Sequence, residues 1–86
     1  MFLEIVTPDE RVFEGEVESA TLPGSDGSFQ ILDNHAAMIS TLGKGDVKFT
    51  RLIDKKVKET HILIDGGVVE ILNNKVTLLA ESVLDD

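Results

Sequence analysis

Two histidines are the only side chains in the sequence that ordinarily titrate near neutral pH, so they are the first candidates for general-base chemistry. His61 lies between Thr60 and Ile62 inside a strand-like run, and His35 follows Asp33-Asn34 in a turn. Nucleophilic catalysis would also need a Ser, Thr or Cys beside the imidazole and a third group to orient it. No spacing in this chain pairs either histidine with such a hydroxyl. A metal centre would need His clustered with Asp or Glu, yet the two histidines fall on different predicted elements. Gly43-Lys44-Gly45 has the look of a phosphate loop but lacks the upstream glycine and the Ser or Thr after lysine. It reads as a turn between segments. The 16 Asp and Glu residues read as solvated surface. The chain is therefore expected to be non-catalytic, with no metal and no cofactor.

A lysine can also carry chemistry by being modified. Lipoyl and biotinyl carrier domains are small, acidic and all-β, with the modified lysine exposed at a hairpin tip. Asp54-Lys55 occupies such a tip, so a carrier domain modified on Lys55 is the alternative reading. Lys56 and Lys58 follow closely, and the usual hydrophobic flanks are missing. A sandwich that binds a small molecule would need a sizeable apolar pocket. The few aromatics, Phe2, Phe13, Phe29 and Phe49, read instead as core.

The elements that would position these residues are short strands. With 86 residues, 42% hydrophobic and 28% charged, the chain suits one globular domain. It has no cysteine, so disulfide and zinc–thiolate frameworks are excluded. A net charge of -8 disfavours nucleic acid and suits a partner with exposed Lys or Arg. No signal peptide is expected at the start, and no apolar run approaches the roughly 20 residues of a membrane span.

Phe2–Val6 reads as the first strand, stopped by Thr7-Pro8-Asp9. Residues 15–22 read as a half-buried strand, followed by turns at Pro23-Gly24 and Asp26-Gly27 and a short strand over 28–32. Residues 36–42 resemble a helical turn. Strands are expected over 46–53 and 56–64, joined at Asp54-Lys55. Gly66-Gly67 marks a tight turn or bulge before a strand over 68–72. Asn73-Asn74 then makes a two-residue hairpin to a strand over 75–80. Short strands with turn signals every few residues predict an all-β sandwich or barrel.

Three runs in the middle of the chain are the most specific: Leu22-Pro23-Gly24-Ser25-Asp26-Gly27-Ser28-Phe29, Leu32-Asp33-Asn34-His35-Ala36 and Leu42-Gly43-Lys44-Gly45. Gly66-Gly67-Val68-Val69-Glu70 and Asn74-Lys75-Val76-Thr77-Leu78-Leu79-Ala80 follow. With the opening Leu3-Glu4-Ile5-Val6-Thr7-Pro8 and Val12-Phe13-Glu14-Gly15-Glu16-Val17, their order and spacing closely resemble the N-terminal domain of the ATP synthase epsilon subunit. The likeness covers essentially the whole chain.

The resemblance implies a flattened β-sandwich of two five-stranded sheets in the central stalk of the F1 sector. There it would bind the gamma subunit and rest on the ring of c subunits, coupling their rotation to ATP synthesis without catalysing it. It would sit on the cytoplasmic face of the bacterial inner membrane, held there only through the complex. Carried over by position, Gly24, Ser25, Asp26, Gly27 and Ser28 would meet the c ring. His35, Met38 and Ser40 would lie near gamma. Ser28 stands where many relatives have a carboxylate, Asn34 where the family has glycine, and Ala37 where it has proline. The family's C-terminal two-helix hairpin has no counterpart here, so the resemblance implies a short form.

Overall fold

The computed structural model describes residues 1–84, which form seven strands. They are β1 (Phe2–Val6), β2 (Arg11–Glu16), β3 (Ser19–Gly24), β4 (Gly27–Leu32), β5 (Met38–Ile53), β6 (Lys56–Leu72) and β7 (Lys75–Ala80). Their hydrogen bonding is continuous, in the order β2-β1-β7-β6-β5-β3-β4. All neighbours are antiparallel except β1 and β7, which run parallel and place the first strand beside the last.

One hairpin makes two layers from this single sheet. β5 and β6 pair from Met38↔Ile71 to Ile53↔Lys56, with Gly43 and Gly66 facing each other unpaired between Leu42↔Gly67 and Lys44↔Asp65. Gly66 takes φ 101, where a side chain is strained. Gly67 brings the backbone of β6 so close to β7 that a Cβ would stand 2.2 Å from the Leu79 carbonyl oxygen. On one side of this bend lie β2, β1, β7 and the 38–42/67–72 half of the hairpin. On the other lie β3, β4 and the 44–53/56–65 half. The layers thus hold five and four strands, with the long pair counted in both; an isolated bridge from Ile64 to Val83 flanks the second. The expected pair of five-stranded sheets is a single folded sheet because β5 and β6 cross the bend without ending.

The fold-over brings distant strands into contact. Phe13 of β2 and Phe49 of β5 lie with ring centroids 4.4 Å apart although three strands separate them in the sheet. The core is entirely apolar among the described residues and includes Leu3, Ile5, Leu22, Ile31, Phe49, Ile64, Ile71 and Leu78. Each such fully buried side chain contributes about 1.5–3 kcal/mol. Phe13 and Phe29 pack against this core. Phe2 differs, standing half-buried with the Lys75 ammonium 5.8 Å from its ring centroid.

Several boundaries depart from the sequence expectation. Residues 15–22 are the end of β2 and the start of β3, divided at Val17-Glu18. Those two amides donate to Met1 and Thr50 carbonyls, remote groups that no local pattern announces. Pro23-Gly24 ends β3 rather than turning, and the one turn there is Ser25-Asp26. Residues 36–42 form no helical turn, since β5 begins at Met38. Gly43-Lys44-Gly45 lies within β5, at the bend.

Candidate functional site

The hairpin of β3 and β4 presents Ser25 and Asp26 at its tip, both exposed. Two contacts with β5 hold that tip: the Ser25 amide donates to the Thr41 carbonyl at 3.1 Å, and the two hydroxyls lie 2.8 Å apart. Gly24 permits the close return of the chain, since a Cβ there would stand 2.6 Å from the Gly27 carbonyl oxygen. The exposed Ser28 hydroxyl donates to the Leu22 carbonyl at 3.4 Å. The Asp26 carboxylate makes no ion pair among the described residues.

His35 lies beyond the opposite end of β4, roughly 17 Å along the strand at about 3.3 Å per residue. Its loop is fastened from both sides. Asp33 accepts hydrogen bonds from the Met1 amine and from the Asn74 side chain, each at 2.9 Å. The Asn34 amide donates to Asn74 Oδ1 at 2.8 Å. The hydrogen bond to Asp33 is the main reason the amine's pKa is raised, and the same bond is the first cause of the carboxyl's depressed value. Asn34 takes φ 61, a conformation that asparagine tolerates and glycine also allows. His35 is half-buried, with Nδ1 2.8 Å from the Ala36 carbonyl oxygen.

Met38 and Ser40 lie on the inward register of β5, half-buried, with Met38 against the core. Ile39 between them faces out and is 72% exposed. It begins a feature that the sequence reading did not single out. Across the outer face of the first layer, Ile39, Glu70, Thr77 and Glu4 form one cross-strand row. Thr41, Val68, Leu79 and Val6 form the next. Val68, Leu72 and Leu79 are also exposed, so an apolar stripe, interrupted by Glu70, runs over several strands beside a shallow concavity formed by Ala37, Met38, Ile39, Glu70, Ile71 and Leu72. The strand phase of 68–72, with Val69 and Ile71 inward, was the signal that could have exposed it.

The remaining candidates, His61 and Lys55, lie on the β5–β6 hairpin. His61 bridges the strands of the second layer, with Nδ1 2.5 Å from Asp46 and Nε2 2.6 Å from Glu59. Asp46, then Glu59, raises its pKa by accepting from the charged ring. No nucleophilic hydroxyl joins that group, and no cluster of three metal-ligating side chains occurs among the described residues. Lys55 does occupy a two-residue hairpin tip, where Asp54 and Lys55 take φ 51 and 65. No helix among the described residues is long and apolar enough to cross a membrane.

Comparison with known proteins gives a consistent result. Residues 1–86 match the family model for the ATP synthase delta/epsilon chain β-sandwich domain. The ATP synthase epsilon chain of Maridesulfovibrio salexigens is 45% identical over 82 residues, covering 94% of this chain and 54% of the relative. That of Chlorobium limicola is 44% identical over 81 residues, covering 94% of this chain and 89% of the relative. The chain thus spans about half the length of the first relative and most of the second. Among solved structures, a chain of the Tetrahymena thermophila mitochondrial ATP synthase central stalk and c-ring shares the fold at TM-score 0.81 and 20% identity, covering 98% of this chain and 65% of that one. A chain of the Euglena gracilis mitochondrial ATP synthase matches at TM-score 0.82 and 19% identity, covering 95% of this chain and 51% of that one. The chain belongs to the family of ATP synthase delta/epsilon-chain β-sandwich domains.

Proposed function

We propose that this chain is a non-catalytic central-stalk subunit of a proton-translocating F-type ATP synthase, linking the gamma subunit to the c ring. The observation that carries the reading is the match over the whole chain to relatives named as ATP synthase epsilon chains. The geometry suits an adaptor that grips two partners. The loops at opposite ends of β4 are both fastened, and the strands between them belong to one hydrogen-bonded sheet. Such a body transmits load with little deformation, since close-packed interiors have low compressibility.

In this reading the exposed turn of Ser25 and Asp26, flanked by Gly24, Gly27 and Ser28, meets polar loops of the c ring. Asp26 supplies a carboxylate for a ring cation. The gamma subunit meets the His35 loop and the neighbouring apolar stripe, with Ile39 rather than the inward Met38 and Ser40 making the outermost contact. Desolvating that stripe supplies affinity that exposed ion pairs alone do not. The chain would lie at the cytoplasmic face of the bacterial inner membrane, peripheral and held by the complex. Co-expression with a gamma subunit tests the assignment. The tagged chain should retain gamma through purification, and reproducible loss of gamma would refute the reading.

A further inference from the structure

Cations are not spread evenly over this acidic chain. Residues 48–58 hold five of its eight Lys and Arg residues against one acid, Asp54, a local balance of +4 in a molecule of net -8. Residues 51–58, with four of these five cations, form the free end of the β5–β6 hairpin, since β3 pairs no further than Ser19↔Thr50. Arg51 and Lys58 stand directly opposite each other, an unfavourable cross-strand pair. Among the described residues the ion pairs involve only the Met1 amine, Arg11, His61 and Lys75, so none relieves Lys48, Arg51, Lys55, Lys56 or Lys58.

Among the described residues the same arm carries an open strand edge. The Leu84 amide donates to the Leu63 carbonyl, and the Asp65 amide donates to the Ser82 carbonyl. Odd-numbered residues in this part of β6 therefore turn their backbone groups away from β5. Register with β5 is unbroken from Lys44↔Asp65 to Ile53↔Lys56, so Val57, Glu59 and His61 present theirs on the same side. Nothing among the described residues pairs with them there. Their side chains lie on one face, with Val57 71% exposed, while Lys56 and Lys58 lie on the other.

We propose that the edge of β6 over residues 57–61 accepts an extended segment of another protein that is acidic at alternate positions. An added strand would hydrogen-bond to Val57, Glu59 and His61. Its acidic side chains would fall beside Lys56 and Lys58, and its aliphatic ones beside Val57. Lysines on the edge repel the identical edge of a second copy, which makes self-pairing the wrong occupant. A lipid headgroup can neutralise the lysines but cannot continue the backbone ladder. The inference does not depend on the ATP synthase assignment, since its test uses the chain alone with a peptide.

The probe is an acetylated octapeptide of alternating Glu and Val, added to the isotopically labelled full chain, with amide exchange followed by NMR. Exchange at Val57, Glu59 and His61 should slow by at least about tenfold at saturation, as for newly bonded strand amides. The matching Lys–Val peptide should have no effect. The double variant Lys56→Glu, Lys58→Glu should weaken Glu–Val binding by about tenfold, as reversal of two exposed charges implies. In Glu59→Pro the outward amide is lost while the β5 ladder is kept, and binding should fall similarly. Protection of the three amides in the chain alone would mean that the edge is already filled, and would overturn the proposal. So would equal binding of both peptides, dimerisation through this edge, or capture by phosphatidylglycerol vesicles with no response to the Glu–Val peptide.

Discussion

Replacing Gly67 by alanine tests the account of how one sheet becomes two layers. The new Cβ would stand 2.2 Å from the Leu79 carbonyl oxygen and 3.0 Å from the Ala80 Cα, both backbone atoms that no rotamer change can move. Gly67 also holds φ 154, which a side chain strains. Strain of that kind costs about 1–3 kcal/mol, and pushing the Leu79 carbonyl away weakens its ladder pairing with Val68 by about 1 kcal/mol more. The expected destabilisation is about 3 kcal/mol, a large share of the roughly 5–10 kcal/mol available to a domain of this size. Unfolding entropy for 86 residues is about 0.2 kcal/mol per kelvin, so the melting temperature should fall by about 15 °C. Gly43→Ala is the matched control, because a Cβ there meets nothing within 4 Å and its φ is ordinary. Urea unfolding followed by circular dichroism reads both variants. If Gly67→Ala lay within about 0.5 kcal/mol of Gly43→Ala, the close approach of β6 to β7 would be the wrong explanation of the bend.

Asp26→Arg should leave the unfolding midpoint unchanged, because the carboxylate is exposed and unpaired among the described residues, yet weaken retention of a c ring in co-purification. Ile39→Asp should likewise spare the fold but weaken gamma retention by at least about tenfold, as burying a charge in a docked apolar stripe implies; unchanged retention would remove Ile39 from the contact. The Met1 amine has a raised pKa, so its contribution to stability is fully present below the ordinary amine value near 8 and is lost as pH rises through the folded value. Asp33→Asn should flatten that alkaline slope in urea midpoints. Asp33 has a depressed pKa, so its own contribution is present above its ordinary value and is lost as acid takes the pH down through the folded one. The intact mass of the chain from a host with active lipoyl and biotinyl ligases should equal that of the unmodified sequence, and an adduct on Lys55 would favour the carrier reading.

Where local chemistry dictates structure, the sequence was readable. Asn73-Asn74 and Asp54-Lys55 form two-residue turns with positive φ at both positions, which asparagine and aspartate tolerate well. The exposed turn carboxylate of Asp26 was legible for the same reason. Boundaries that depend on remote partners were not. The corner at Val17-Glu18 has no glycine or proline to mark it and is held by carbonyls of Met1 and Thr50. Gly43-Lys44-Gly45 looks like a turn locally, but β6 pairs on either side of Gly43 and carries the strand through. On the functional side, the central runs pointed to the family, while Ile39 escaped notice. Met38, Ile39 and Ser40 do not alternate cleanly in polarity, and only the sheet shows which of them faces out.

The continuous β5–β6 pairing also bears on how the chain reaches its fold. A hairpin closed by two residues can zip from Asp54-Lys55 toward Met38↔Ile71 while the rest of the chain is still unstructured. The pairing of β1 with β7 joins Phe2 to Lys75, so it closes a loop of nearly the whole chain and carries a larger entropic cost. Assembly should therefore begin at the shared hairpin and finish when the N-terminal strand slots between β2 and β7. Core substitutions in β5 should slow folding, whereas those in β1 should mainly hasten unfolding.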